Sequence, residues 1–140
     1  MRIRILFIIV LLIVVSCRKN KNNPIPNIPF DITININLPA YSALSGVGGY
    51  VYVAGGSKGI IVYRRSLDEF VSFDRHSPVD LDGNCPEPLY PDSQNFLILI
   101  DSCSDAKFSL YDGSPIAGSD YGLRAYQTTF NGTDLLRIFN

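Results

Sequence analysis

The sequence predicts an all-β fold, a sandwich or a barrel, on three observations. Short runs of β-branched and aromatic residues recur along the chain. Glycine, proline and Asn-Gly signals separate them at roughly the 8–12-residue spacing of sandwiches and barrels. No stretch sustains a 3.6-residue apolar period over the length of an ordinary helix.

The elements follow in order. Residues 31–38 alternate apolar and polar side chains through Ile32, Ile34, Ile36 and Leu38, the period of a half-buried strand. Tyr50–Val53 and residues 59–64 are β-branched and aromatic, and the glycines between them, Gly55 and Gly56, allow a hairpin turn. Residues 70–73, 96–100 and 107–110 read as strands, as does Leu135–Phe139. Asn131 and Gly132 signal a type I′ turn between Ala125–Phe130 and that last strand. Residues 66–69 suit one short helical turn. The eight tyrosines and eight phenylalanines suit a packed core, with a few available to an exposed binding face.

The N-terminus carries an address. Arg2 and Arg4 precede an unbroken apolar run over residues 5–15. A membrane-crossing helix needs about 20 apolar residues, so this run suits the core of a secretory signal. Val14, Val15, Ser16 and Cys17 follow and resemble a bacterial lipobox, which implies cleavage before Cys17 and attachment of a diacylglycerol to its thiol. The alternative is an uncleaved anchor helix. The expected organisation is a signal peptide over 1–16, a lipidated flexible tether over 17–29 and a β domain over 30–140. The tether holds three cations and three prolines, which favour extended conformers. Arg18 stands where an aspartate would mark inner-membrane retention, and no acidic run for surface export follows. The expected location is the outer membrane, facing the periplasm, with the membrane reached through Cys17.

Charge limits the partners. From residue 30 onward, seven Lys/Arg stand against thirteen Asp/Glu, a net charge of −6. Phosphate backbones require cationic partners, so nucleic acid is not an expected ligand. Residues 45–49 and 86–95 are the expected variable contact surfaces for an envelope protein partner.

The domain resembles a Rieske domain over roughly residues 40–140. Residues 61–75 are similar to the approach to the first cluster loop. Residues 100–110 are similar to the second loop, whose pattern is Cys-x-x-His-Gly-Ser-x-Phe. Residues 112–118 are similar to the glycine and proline turn that follows, and residues 123–126 to the strand after it. The resemblance implies a sandwich of small antiparallel sheets with two loops at one tip. It places the first-loop ligands on Ser77 and Val79, and the second-loop ligands on Asp101 and Ser104. A Rieske centre needs two thiolates on one iron and two imidazoles on the other. None of the four residues supplies either group. The chain has one histidine and three cysteines, so neither a two-histidine, two-cysteine set nor, with Cys17 lipidated, a four-cysteine set is attainable in one chain. The expectation is a protein with no cofactor and no enzymatic activity. A [2Fe–2S] electron-transfer protein is the reading that family membership alone would suggest.

The same resemblance implies a disulfide between the two loops, on Cys85 and Cys103, in keeping with an oxidising envelope. The alternative is two buried, unpaired cysteines. A bridge across such a loop would contribute roughly 3 kcal/mol by limiting the unfolded chain.

Other chemistry is weaker. Asp80, Asp82 and Asn84 around Gly83 offer oxygen ligands for calcium, but no bidentate glutamate follows. His76 with Asp101 or Asp105 is a poor zinc set, and His76 reads as an exposed loop residue. The Gly-x-Ser-x-Gly pattern is absent, and His76 is the only imidazole base for a hydrolase. Metal or ligand binding at the altered loop tip is the remaining alternative. Asn131, Gly132 and Thr133 match a glycosylation sequon, but a hairpin turn accounts for them.

Overall fold

The computed structural model describes residues 23–140. The expected signal, Cys17 and the first part of the expected tether lie outside the described residues. No helix among the described residues is long and apolar enough to cross a membrane.

Among the described residues the fold is all-β and its strands pair antiparallel. Ten strands run in order: β1 (Asp31–Asn35), β2 (Tyr50–Val53), β3 (Ile60–Arg64), β4 (Phe70–Asp74), β5 (Tyr90–Pro91), β6 (Ile98–Ile100), β7 (Lys107–Ser109), β8 (Pro115–Ala117), β9 (Ala125–Phe130) and β10 (Leu135–Phe139). A six-stranded sheet, ordered β1-β10-β9-β4-β3-β2, curls into a half-barrel. A four-stranded sheet, ordered β5-β6-β7-β8, packs against it.

Strand β3 explains why there are two layers. Ile60, Ile61, Val62 and Tyr63 are all buried, so this strand has no solvent face. A continuous apolar run is the mark of a strand covered on both sides. Alternation sends Ile60 and Val62 into one core, with Leu44, Phe70, Leu136 and Ile138. It sends Ile61 and Tyr63 into a second core, with Phe73, Leu99, Phe108 and Leu110. Phe108 and Leu99 are fully buried and paired across β6 and β7. This second core fixes the small sheet, and with it the loop between β6 and β7.

Several local expectations differ from the structure. Residues 66–69 form no helical turn. They close the β3–β4 hairpin, where the Arg65 and Ser66 amides both donate to the Glu69 carbonyl. Asn131 has negative φ, so the β9–β10 connection is not a type I′ turn. It is a four-residue loop in which the Asn131 Oδ1 accepts the amides of Thr133, Asp134 and Leu135. Pro39–Ser45 forms a short 3-10 helix with proline in its first turn.

The end of the expected tether is docked. Ile25 is 2% exposed. Its carbonyl accepts Arg124 Nε at 2.9 Å and Nη2 at 2.6 Å, and Asn23 Nδ2 donates to the Gly122 carbonyl at 2.9 Å. Residues 23–29, expected as part of the tether, belong to the folded body. A single buried isoleucine among prolines has no period that would reveal it.

Candidate functional site

Two loops meet at one end of the small sheet. The first runs from the end of β4 to β5, over residues 75–89. The second joins β6 to β7, over residues 101–106. A Cys85–Cys103 disulfide ties them, with an S–S distance of 2.09 Å and Cα atoms 5.9 Å apart. The expected pairing is present.

The first loop is positioned by a buried carboxylate at the end of β4. Asp74 is fully buried. It accepts four hydrogen bonds: the Ser57 amide at 2.6 Å, the Lys58 amide at 3.1 Å, the His76 amide at 2.8 Å and the Tyr126 hydroxyl at 2.6 Å. A buried charge is tolerated when donors surround it in this way. Burial pushes the Tyr126 phenol above its ordinary range, and the bond to Asp74 adds to the shift. Gly56 shows how closely the β2–β3 loop approaches. A Cβ there would lie 2.4 Å from Asp74 Oδ2 and 2.6 Å from the Tyr126 hydroxyl. Only glycine fits, and its positive φ also suits glycine.

His76 is buried, not exposed as expected. Its Nε2 lies 2.8 Å from the Asp80 carbonyl, which can only accept, so Nε2 carries the proton. Its Nδ1 lies 2.7 Å from the Ser57 hydroxyl, which donates to it in the neutral ring. Both nitrogens are thus engaged, and the zinc set with Asp101 or Asp105 is not assembled. Ser57, His76 and Asp80 do approach the outline of a hydrolytic triad, with Nε2 3.6 Å from Asp80 Oδ2. The amides of Ser57 and Lys58 donate to Asp74, so neither is free to face a developing oxyanion.

Asp80 is equally committed. Its Oδ2 accepts Lys58 Nζ at 2.5 Å, and its Oδ1 accepts the Asn84 amide at 2.9 Å. Burial alone would raise its carboxyl, but the Lys58 ammonium and the Cys85 and Asn84 amides outweigh burial and hold it below the ordinary carboxylate range. Lys58 Nζ also donates to the Cys85 carbonyl at 2.6 Å. The Asp80 oxygens, which the sequence offered as calcium donors, therefore orient the first loop instead.

The four positions singled out by sequence divide. Val79, Asp101 and Ser104 line one cavity of about 290 Å³, together with Asp80, Asn84 and both disulfide cysteines. Ser77 is buried apart from that lining, and its hydroxyl has no partner. Asp101 is 3% exposed. Its Oδ1 accepts the Cys103 amide at 2.9 Å and lies 3.8 Å from Cys85 Sγ. Its Oδ2 is buried with no hydrogen-bond partner. A wider, open groove of about 580 Å³ lies beside this cavity, lined by Pro78, Val79, Leu81 and residues 118–121.

Sequence reasoning missed Ser57, Lys58, Asp74 and Tyr126. A lone Asp at a strand end gives no signal of the four donors that surround it. Comparison with protein-family models, curated proteins and solved structures returned no match to this chain.

Proposed function

We propose that this chain is a non-enzymatic envelope lipoprotein, anchored at Cys17, whose Rieske-like β domain carries no cluster and serves a structural or partner-binding role. The observation that carries this reading is the composition of the loop tip. Ser77, Val79, Asp101 and Ser104 stand where the resemblance requires thiolates and imidazoles. The single imidazole of the chain is enclosed between Ser57 and Asp80. In place of a metal bridge, a covalent one joins the loops. The lipobox-like end at Cys17, after an apolar run too short to span a bilayer, supports the anchor.

The surface beside the tip supports partner binding. Leu81 is 72% exposed at the rim of the open groove, next to the exposed Val79. Exposed apolar groups that line a concavity mark interaction sites more often than scattered ones. Leu67, 71% exposed in the β3–β4 turn, does not line that groove and provides a matched control.

The experiment follows from that pair. The full chain is expressed in a Gram-negative host with a photo-reactive amino acid at Leu81 or at Leu67. The reading predicts a discrete envelope adduct from position 81 and none from 67. It also predicts that radiolabelled fatty acid enters the wild-type chain and not Cys17→Ser. Equal adducts from both positions would contradict the docking role, and an unlabelled wild-type chain would contradict the anchor.

A further inference from the structure

We propose that reduction of the Cys85–Cys103 bridge turns the loop tip into a binding site for a soft divalent cation such as Zn²⁺, held by the Cys85 and Cys103 thiolates and the Asp101 carboxylate. The inference shares with the functional reading only the placement of the two loops, and it stands whether or not the tip docks a partner.

Three observations converge. One ligand atom from each of Cys85, Asp101 and Cys103 lies within 4.8 Å of the other two. Zinc–sulfur bonds of about 2.3 Å and zinc–oxygen bonds of about 2.0–2.2 Å fit inside such a triangle. Asp101 is 97% buried by its 3% exposure, and its Oδ2 has no partner. A buried carboxylate oxygen left bare is costly, and a cation beside it removes that cost. The three residues also line one cavity of about 290 Å³, with room for a water as fourth ligand. Three protein ligands and an open fourth position is the pattern of zinc sites that exchange ligands.

Each loop is also held by hydrogen bonds of its own. The Lys58 ammonium holds the Cys85 carbonyl, and the Asp80 carboxylate accepts the Cys85 amide. In the second loop, Asp101 accepts the Cys103 amide, and its own amide donates to the Ala106 carbonyl. Both sulfurs therefore stay near Asp101 once the bond between them is broken. The donor set selects the metal. Two thiolates are soft, which favours zinc, cobalt or copper over calcium and magnesium.

The chemistry balances with a dithiol as reductant. The dithiol gives up two electrons and two protons and becomes a disulfide. The Sγ–Sγ bond breaks to two thiols. The incoming cation displaces both thiol protons to solvent as two metal–sulfur bonds form. A disulfide oxidant runs the step in reverse: it accepts the two electrons with two protons from solvent and becomes a dithiol, the Sγ–Sγ bond reforms and the cation leaves.

Cobalt titration tests this. The full chain carrying Cys17→Ser is held in detergent, so that Cys85 and Cys103 are its only cysteines. It is reduced with a phosphine, desalted anaerobically and titrated with Co²⁺. The expected result is one cobalt per chain with thiolate charge-transfer and tetrahedral d–d bands, erased by Zn²⁺. The oxidised protein should show neither band. Asp101→Asn should weaken binding at least as much as loss of an outer-sphere partner does, roughly 10–100-fold. Near-ultraviolet circular dichroism on the same samples reports folding. Three results would overturn the proposal: no cobalt bands from a folded, reduced chain; equal affinity in Asp101→Asn; or collapse of the near-ultraviolet signal on reduction. A colourless titration would leave the lipoprotein reading intact, whereas an adduct pattern against that reading would leave the cation site intact.

Discussion

Two buried aspartates, one before the first loop and one at the start of the second, are treated differently by the fold. Asp74, beneath the β2–β3 hairpin, receives four hydrogen bonds from three segments of the chain. Asp101, at the disulfide tip, receives one, and half of its carboxylate is bare. The first is a structural charge whose surroundings were shaped to satisfy it. The second is buried with one oxygen on the Cys103 amide and the other without a partner, at an energetic cost. A carboxylate of that second kind marks a place where function, present or ancestral, rather than stability set the residue.

The contrast is tested first by matched amides. Asp74→Asn puts an NH₂ group against donors that already point inward, and it leaves at least two of them unsatisfied. The expected loss is about 4 kcal/mol by urea denaturation, near the upper end for a single substitution. A loss under about 1 kcal/mol would remove the distinction between the two sites.

Next in size is the bridge. Replacing Cys85 and Cys103 together by alanine should cost about 3 kcal/mol, since the cross-link restricts the unfolded chain. The near-ultraviolet spectrum should persist, because Lys58 and Asp80 still hold the first loop. Loss of the folded signal would show that the disulfide, not the polar network, positions the tip.

Tyr126→Phe should cost about 1 kcal/mol at neutral pH, the worth of one buried hydrogen bond. It should also change the alkaline limb. The Tyr126 phenol is raised in the folded protein, so its contribution is complete below the ordinary tyrosine value of about 10 and is lost as pH climbs through the folded value. Wild-type stability should therefore fall above that pH with a slope that the phenylalanine variant lacks. Identical slopes would show that the Asp74–Tyr126 bond is not the source. On the acid side the sign reverses. Asp80 is lowered, so its contribution is present above the ordinary value near 4 and disappears as pH falls through the folded value. Lys58→Met should flatten that limb.

The smallest expected effect is Asp101→Asn. Its Oδ1 still accepts the Cys103 amide, and no donor faces the new NH₂ group. Stability should change by less than about 1 kcal/mol, or rise. A large loss would mean that Asp101 is as structural as Asp74.

The strands were the most readable part of the sequence. Tyr50–Val53, Ala125–Phe130 and Leu135–Phe139 stand where their β-branched and aromatic runs predict. β5 and β8 were not legible. Each is two or three residues long, contains proline and lies at a sheet edge, where neither alternation nor propensity has room to show. At the tip, the cysteine pairing was implied by the resemblance to a Rieske domain, and the disulfide is present. The network that shapes the tip could not be read from the sequence. Asp74 meets Ser57 across 17 residues and Tyr126 across 52, and no local pattern encodes contacts of that range. His76 was misplaced for the same reason: its burial depends on Ser57, from the β2–β3 connection.

The most direct test of a tip without a cluster is analysis of the full chain purified anaerobically in detergent, with iron and acid-labile sulfide measured beside its reduced EPR spectrum. Ligand arithmetic predicts a colourless protein with neither element in stoichiometric amount and a silent spectrum. A brown preparation with two irons per chain and a Rieske-type signal would contradict it.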